Sequence, residues 1–378
     1  METTFWILLA FIIYTYSGYP LLLLVLRAII GKPIRQNKQY QPSVSFIVAA
    51  YNEQDVIENK ILNTLELDYP KELLETIIVS DCSSDETDNI VSRYVSKGIK
   101  LLSLEKRGGK TVAQNESLKH VTGEILVFSD ANTMYRPTAI RKIVRNFSDP
   151  EIGCVGGVLT YEAQNQKELI KEKGIYLSFD QHIKKLEGEI SSCIGVDGAI
   201  YAIRNNVARP LPETLTTDFI VPLDVISQGF RSVFESEAIT CEQVASSSKV
   251  EFKRKMRTVR VGATVLYAMR HLLNPFKYGW VSFFLFSHKL LRWLFPFLMI
   301  SFFATNALLI QEGFIYSFIF YLQMLFYLFA FLGFLIKKTM PVKLFTVPFY
   351  FCMYNVCAIV GLFNFIFGEK TEIWEVER

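Results

Sequence analysis

Three short polar segments each follow a run of apolar residues, and together they offer carboxylate and amide oxygens. They are Tyr51-Asn52-Glu53, Ser80-Asp81 and Ser129-Asp130-Ala131-Asn132. Asp130 and Asn132 lie on one turn, so they can share a hard divalent cation that is also bound by the phosphates of a substrate. A turn that merely caps a helix uses the same residue types, and one segment alone therefore leaves both interpretations open.

The residues around these segments have the patterns of strands that alternate with helices. We predict strands at Val44–Ala50, Thr76–Val79, Ile99–Leu104 and Ile125–Asp130, and helices at Glu53–Leu65, Ser83–Val95 and Lys110–His120. A capping-box spacing from Ser83 to Glu86 marks the start of the second helix. This order predicts an α/β domain with a mostly parallel central sheet. The three polar segments then lie together beyond the carboxyl ends of the strands.

The composition is too apolar for an ordinary soluble enzyme. Of the 378 residues, 51% are hydrophobic and 14% are aromatic, with 31 Phe. A helix needs roughly 20 apolar residues to cross a bilayer core, and four uncharged runs approach or exceed that length: Phe5–Leu26, Trp293–Ile310, Phe314–Ile336 and Leu344–Gly368. They predict one N-terminal anchor, not a removed signal peptide, and three C-terminal spans. The aromatic stretch Phe276–His288, flanked by cations, is interpreted as a helix in the headgroup plane.

These patterns divide the chain into five segments. They are an anchor at 1–30, a polar domain at 40–262, an amphipathic interface segment at 263–292, three spans at 293–368 and a tail at 369–378. Lys32, Arg35 and Lys38 follow the first span, so we expect an integral protein of the cell (inner) membrane with its polar domain in the cytoplasm. The net charge of +3 argues against a nucleic-acid partner. The six cysteines have no disulfide or zinc spacing.

Five motifs give the polar domain a resemblance to a known family. They are Ala50-Tyr51-Asn52-Glu53, the segment from Ser80 to Thr87, Arg107-Gly108-Gly109-Lys110, Ser129-Asp130-Ala131-Asn132 and the segment from Gly195 to Tyr201. In this order they resemble the motifs of family 2 glycosyltransferases. More narrowly, the chain resembles the membrane-bound branch that includes hyaluronan, cellulose, chitin-oligosaccharide and poly-N-acetylglucosamine synthases. The resemblance implies a GT-A-type, Rossmann-like domain that binds a nucleotide-sugar donor.

The resemblance also implies roles for individual residues. Asp81 would accept a hydrogen bond from uracil, and Asp130 with Asn132 stands at the DxD motif, which binds Mg²⁺ or Mn²⁺ across the donor diphosphate. Because Asn132 replaces the second Asp of that motif, one charge is missing and weaker metal binding is expected. The expected donor-binding residues are Ala50, Tyr51, Glu53, Asp81, Arg107, Lys110, Asp130 and Arg257, and the expected acceptor-binding residues are Asp197, Gly198 and Arg254. For Arg107 and Lys110 the alternative is an ordinary surface cation.

Inverting sugar transfer also needs a general base that removes the proton of the acceptor hydroxyl. The family's base motif falls on the segment Thr216-Thr217-Asp218-Phe219, in which Thr217 replaces a companion carboxylate. Asp218 is therefore the expected base. Asp224, six residues further on, remains the alternative.

The last family motif departs furthest from its relatives. Processive members carry Gln-x-x-Arg-Trp where the chain leaves the domain, and the Trp stacks on the acceptor sugar. Here Arg254 replaces the Gln, Arg257 keeps the Arg and Thr258 replaces the Trp. For neighbouring cations such as Lys253, contact with anionic lipid is the simpler interpretation.

The resulting expectation is a metal-dependent, inverting glycosyltransferase. It would move a sugar from a nucleotide donor, expected to carry UDP, to a glycan or lipid-linked acceptor at the membrane, alongside other polysaccharide-assembly proteins. A processive synthase that also exports its product is the alternative. A transporter is disfavoured because the uncharged runs contain no ionisable group. A nucleotide sensor without catalysis would not need Asp218.

Overall fold

The computed structural model describes residues 1–162, 167–243, 248–336 and 343–368. The strands are β1 (Val44–Ala50), β2 (Leu74–Ser80), β3 (Ile99–Ser103), β4 (Ile125–Asp130), β5 (Thr133–Tyr135), β6 (Ile152–Glu162), β7 (Ile200–Arg204) and β8 (Arg231–Gln243). The helices are α1 (Glu2–Ile13), α2 (Tyr19–Ile30), α3 (Ile57–Leu65), α4 (Thr87–Ser92), α5 (Lys110–Ser117), α6 (Ala139–Val144), α7 (Lys167–Ile190), α8 (Thr217–Ser227), α9 (Ser248–Ala268), α10 (Pro275–Tyr278), α11 (Trp280–Phe284), α12 (Leu291–Leu308), α13 (Phe314–Ile336) and α14 (Lys343–Phe367).

Within the described residues the strands form one sheet, in the order β3-β2-β1-β4-β7-β6-β8-β5. Strands β1 to β4 pair in parallel. β7 runs antiparallel to both β4 and β6, whereas β6 and β8 are parallel and β5 pairs antiparallel with β8. The predicted mostly parallel α/β sheet is confirmed. The reversal at β7 depends on long-range pairing, which the local patterns do not contain.

The central strands are buried on both faces because helices cover the sheet on each side. Phe46 of β1 and Val127 of β4 face one apolar core, and their neighbours Ile47 and Leu126 face the other. All four side chains are fully buried. Continuous apolar runs are what a strand needs when alternate side chains point into two cores. The arrangement holds the carboxyl ends of β1, β2 and β4 at one edge.

The helix after β2 begins at Thr87, beyond the predicted start at Ser83. The backbone N–H of Thr87 donates to the Asp85 carboxylate at 3.0 Å, while the Ser83 hydroxyl accepts from the backbone N–H of Asn52 at 3.1 Å. The predicted capping box is therefore wrong. Ser83 is used to tie the loop after β2 to the loop after β1.

The chain divides into two compact units. The sheet unit comprises the described residues of Leu23–Ala245 and Val265–Val281, and the membrane unit comprises those of Met1–Leu22, Ser246–Thr264 and Ser282–Glu369. The predicted domain boundary at 262 falls inside the continuous helix α9. The predicted tail at 369–378 lies outside the described residues.

Four helical segments of the described chain are long and apolar enough to cross a membrane. They are Glu2–Ile30, Trp280–Leu308, Phe314–Leu335 and Lys343–Phe367. The predicted arrangement of one N-terminal and three C-terminal helices is confirmed.

The second of these segments starts earlier than predicted. The helix begins at Trp280, directly after Gly279, whose positive φ of 50° ends α10, and it continues through a π-helical turn at Leu285–Leu290. The stretch Phe276–His288 is therefore not one separate helix, because it is divided at Gly279 and its part from Trp280 continues into the apolar helix. Its predicted place in the headgroup plane stays a prediction. The break in the helix is at Gly279, whereas the uncharged run in the sequence placed the start of the span at Trp293.

Candidate active site

The loops after β1 and β2 are joined by hydrogen bonds between the polar residues of the predicted donor site. The Asn52 side-chain oxygen accepts from the backbone N–H of Ser84 at 2.8 Å. The backbone N–H of Glu53 donates to the Thr87 hydroxyl at 2.9 Å. These bonds give the edge of the sheet a fixed shape, with Glu53 buried.

Asp81 lies at the end of β2 and is buried, with 3% of its surface exposed. Its two carboxylate oxygens accept from the backbone N–H groups of Gly108 and Gly109 at 2.8 and 2.7 Å, and its own backbone N–H donates to the backbone oxygen of Ala50 at 2.9 Å. Gly109 has a φ of 87°, which favours glycine. Each oxygen of the predicted uracil-binding carboxylate therefore already accepts one backbone hydrogen bond, and a uracil N–H would use a remaining lone pair or take the place of one of these donors.

Arg107 and Tyr51 form the outer part of the same edge. The guanidinium carbon of Arg107 lies 4.0 Å from the centre of the Tyr51 ring, a cation–π geometry. Arg107 therefore contacts a predicted site residue and is not an isolated surface cation.

Lys110 connects the end of β4 to the glycine-containing segment before β7. Its amine forms an ion pair with Asp130 and donates to the backbone oxygen of Gly198 at 2.9 Å. Because Lys110 is the first residue of α5, the helix fixes the lysine stem over this gap. The alternative of a solvated surface cation is excluded for Lys110, since only 19% of its side chain is exposed.

Asn132 faces a residue that the sequence patterns did not indicate. Its amide group donates to the Glu242 carboxylate at 3.2 Å, because β5 and β8 pair with Thr133 opposite Glu242. Since the amide nitrogen is used in this way, the amide oxygen is left for another contact. Asp130 and Asn132 thus offer the hard oxygens that Mg²⁺ and Mn²⁺ prefer. Among the described residues there is no group of three or more His, Cys, Asp or Glu side chains that could hold a metal alone, so a metal here would need further ligands such as phosphate oxygens or water.

Asp218 lies in the first turn of α8. Its backbone oxygen accepts from Val196 at 3.0 Å, which brings α8 against the segment that contains Gly198. A Cβ atom added at Gly198 would lie 3.2 Å from the Lys110 amine and 3.6 Å from the Asp218 Cβ. One carboxylate oxygen of Asp218, Oδ1, is buried and accepts no hydrogen bond from the described residues. A buried carboxylate oxygen without a donor is uncommon in folded proteins and calls for a specific explanation.

Asp224 is placed differently from Asp218 although both are on α8. Its carboxylate pairs with the Arg209 guanidinium at 3.2 Å and accepts from the Gln228 amide at 2.9 Å. Burial raises the pKa of Asp224, and the Arg209 charge acts in the opposite direction. These contacts give Asp224 a structural role and leave Asp218 as the better candidate.

The remaining predicted site residues fall into two groups. Asp197 lies in the segment before β7 and accepts from the backbone N–H of Ala199 at 3.2 Å. Arg254 and Arg257 lie on α9 in the membrane unit, and their donor and acceptor roles remain predictions.

Lys60 is a second residue that the sequence reasoning missed. It is fully buried on α3, and its amine donates to the Ser129 hydroxyl at 2.7 Å and to the Thr133 backbone oxygen at 2.6 Å. A signal for it was present, because Lys60 lies between Ile57 and Ile61 on the apolar face of the predicted helix. A cation on a buried helix face is unusual enough to indicate a specific partner.

Part of the chain matches a protein-family model. The model for Glycosyl transferase family 2 matches residues 45–203. These residues contain the ends of β1, β2 and β4, α5 and the Gly198 segment. The site elements that lie outside the matched part are α8, Glu242 and the part of α9 that carries Arg254 and Arg257.

Two curated relatives are similar over the same part. The chain is 26% identical over 239 residues to the "Probable glycosyltransferase YdaM" of Bacillus subtilis, which covers 60% of this chain and 56% of that protein. It is 24% identical over 241 residues to a poly-beta-1,6-N-acetyl-D-glucosamine synthase of Staphylococcus epidermidis, with 62% and 58% covered. The chain therefore matches little more than half the length of these relatives.

A solved structure matches nearly the whole chain. It is the mannosyltransferase PcManGT from Pyrobaculum calidifontis in complex with GDP-Man and Mn²⁺, with a TM-score of 0.68 and 19% identity over 96% of this chain and 99% of that one. At this identity the likeness concerns the fold alone, and it confirms the GT-A-type architecture.

Proposed function

The chain contains a glycosyl transferase family 2 domain, and from this premise we propose that it transfers a sugar, with inversion, from a nucleoside diphosphate sugar to an acceptor hydroxyl. The observation that carries the proposal is the buried Oδ1 atom of Asp218, which has no hydrogen-bond donor among the described residues. The Cβ atom of Asp218 lies beside Gly198, whose backbone oxygen accepts from the Lys110 amine. Asp218, the candidate proton acceptor, therefore lies near the ion pair between Lys110 and Asp130.

On the donor side, the diphosphate would take over contacts that the protein now makes with itself. Lys110 neutralises Asp130, and it can instead pair with a donor phosphate once Asp130 engages a cation. Asp130 and Asn132 would hold Mg²⁺ or Mn²⁺ together with the diphosphate oxygens. The metal would supply charge stabilisation to the departing nucleoside diphosphate. Arg107 and Tyr51 would border the nucleotide.

On the acceptor side, Asp218 would act as general base. The acceptor oxygen forms a bond to the anomeric carbon while its proton passes to Asp218. The bond from that carbon to the diphosphate breaks, and its electron pair leaves with the nucleotide. Attack from the face opposite the leaving group gives inversion.

For the donor we propose a UDP sugar. The loop after β2 carries Asp81, whose carboxylate now accepts from two backbone N–H groups and could accept the uracil N–H in their place. The solved structure with the same fold binds GDP-Man, so the donor test has to include both nucleotides.

For the product we propose one or a few added sugars on a glycan or lipid-linked acceptor in cell-envelope or extracellular polysaccharide synthesis. Thr258 stands where processive relatives have a stacking Trp, and a threonine side chain offers no aromatic face to an acceptor sugar. The basic residues after the first span support a cytoplasmic sheet unit at the cell membrane. The named poly-N-acetylglucosamine synthase relative supports the alternative, a processive synthase.

The experiment is a donor panel with the purified full-length chain in detergent, Mg²⁺ or Mn²⁺, and UDP and GDP sugars one at a time. Released nucleoside diphosphate identifies the donor, and size analysis of radiolabelled product gives its length. We expect release from one UDP sugar and short products. Release from none of the donors contradicts the proposed transfer, and a high-molecular-weight polymer made by this chain alone would establish the processive alternative.

A further inference from the structure

Beneath the turn that carries Asp130 and Asn132 lies a buried cation. Lys60 has none of its surface exposed. Its amine lies 4.4 Å from the centre of the Tyr135 ring and 5.2 Å from that of Phe46. Among the described residues no carboxylate lies within ion-pair distance of it. Aromatic rings therefore form much of the surroundings of this charge.

The two hydrogen bonds of Lys60 end on either side of the turn. The Ser129 hydroxyl, just before Asp130, accepts one at 2.7 Å, and the Thr133 backbone oxygen, just after Asn132, accepts the other at 2.6 Å. The Ser129 hydroxyl also lies 3.3 Å from the Thr133 hydroxyl. One amine thus clamps both ends of the segment that presents the two candidate metal ligands.

Burial of a lysine in this position costs free energy of folding. Burial lowers the pKa of Lys60 to about 7, while the charge of Asp130 acts in the opposite direction. A Met side chain of similar length would fill the same space between Phe46 and Tyr135 without the desolvation of an amine. The packing of α3 alone therefore gives no reason for a lysine, whereas the two bonds to the turn do.

Resting on the proposed function, we propose that Lys60 is a positioning residue that holds the Ser129–Thr133 turn in the shape in which Asp130 and Asn132 face the donor diphosphate. It acts from below the turn and touches neither the donor nor the acceptor. Loss of such support behind a metal site commonly weakens metal binding by about 10- to 100-fold.

The test measures binding without turnover. The full-length protein in detergent is titrated with UDP, and separately with GDP, at a series of Mn²⁺ concentrations, by calorimetry. We expect Lys60→Met to raise the Mn²⁺ concentration needed for half-maximal nucleotide binding about tenfold. The matched control is Ile61→Ala, since Ile61 is the next residue of α3 and is also fully buried. The control is expected to lower thermal stability while leaving the Mn²⁺ requirement at the wild-type value.

A second variant covers the case in which Lys60→Met does not fold. Ser129→Ala removes one acceptor of the Lys60 amine and is expected to shift the Mn²⁺ requirement in the same direction by a smaller factor. Wild-type Mn²⁺ requirements in both variants, or in Ser129→Ala when it alone folds, would overturn the role of Lys60 and leave the proposed function intact. If the wild-type protein binds neither nucleotide with Mn²⁺, the result would contradict both the proposed function and the role of Lys60.

Discussion

The two sides of the candidate site differ in how their charged groups are occupied. On the donor side, Asp81 accepts from Gly108 and Gly109, and Asp130 is paired with Lys110. On the acceptor side, Asp218 Oδ1 is buried and has no hydrogen-bond donor among the described residues. The two carboxylates that would face the nucleotide, Asp81 and Asp130, have partners in the protein, whereas one oxygen of the carboxylate that would take a proton has none among the described residues.

This difference indicates how the two sides can work. Paired donor-side groups cost little free energy before substrate binds, and a diphosphate with its cation exchanges one set of charge contacts for another. A buried oxygen without a donor costs free energy in the empty protein, and an acceptor hydroxyl that donates to it removes this cost. Substitutions on the donor side should therefore weaken binding, and substitution of Asp218 should slow the transfer itself.

The largest effect is expected for Asp218→Asn. The amide has nearly the shape of the carboxylate but cannot take the acceptor proton, so the transfer rate should fall by roughly 10²–10⁴. The rate is measured from nucleoside diphosphate released in the presence of acceptor.

The matched control is Asp224→Asn, the same change on the same helix. Asp224 pairs with Arg209 and Gln228, so its transfer rate should stay close to that of the wild type. A larger loss in Asp224→Asn than in Asp218→Asn would indicate that Asp224 is the general base. The contrast between the two sides would then no longer hold.

The next effect concerns the metal. Asp130→Ala removes the charged candidate ligand, and we expect turnover at a fixed Mn²⁺ concentration to drop by about 10², because the cation carries several kcal/mol of charge stabilisation. A chelator should stop the wild-type enzyme, and added Mn²⁺ should restore it. Full turnover in chelator would mean that Lys110 and Arg107 neutralise the diphosphate without a metal.

A smaller effect is expected for Glu242→Gln. Glu242 accepts from the Asn132 amide and so orients the neutral member of the pair. Gln keeps an acceptor oxygen but removes the charge, which weakens the bond to the Asn132 amide, so the Mn²⁺ requirement should rise by up to about tenfold. Glu237→Gln is the control, because Glu237 lies on the same strand but pairs with Lys142 and Arg145. An equal change in both variants would show that β8 is merely destabilised.

The smallest effect is expected for Tyr51→Leu. The ring under Arg107 contributes about 0.5–1 kcal/mol in an exposed cation–π pair, so the donor KM should rise about two- to fivefold with kcat unchanged. A lower kcat at unchanged KM would indicate that Tyr51 stabilises the transition state and does not contribute to donor binding.

The sequence predicts the strands that end in donor-side motifs better than it predicts the later strands β6, β7 and β8. Each of the strands β1, β2 and β4 is an apolar run that ends in a polar motif, so both the strand and its place at the edge follow from local pattern. Strands β6 and β8 are paired in parallel across a long separation in sequence, and no local pattern contains that pairing. The direction of β7 was missed for the same reason.

The contacts that complete the candidate site could not be predicted for a related physical reason. Lys60 reaches Ser129, and Glu242 reaches Asn132, only because sheet pairing and helix packing bring distant segments together. The motif around Asp218 indicated a base, but its place beside Gly198 depends on the backbone bond to Val196. Composition and motif order therefore predict the fold class, and the supporting contacts need the structure.

If nucleotide binding and proton removal belong to separate sides of the site, one substitution should change the second and leave the first unaltered. The most direct test compares, in the same Asp218→Asn preparation, the dissociation constant for the released nucleoside diphosphate with Mn²⁺ and the rate of sugar transfer. We predict an unchanged dissociation constant with a transfer rate reduced by roughly 10²–10⁴. A dissociation constant that weakens as much as the rate falls, or a rate that does not fall, would contradict the claim.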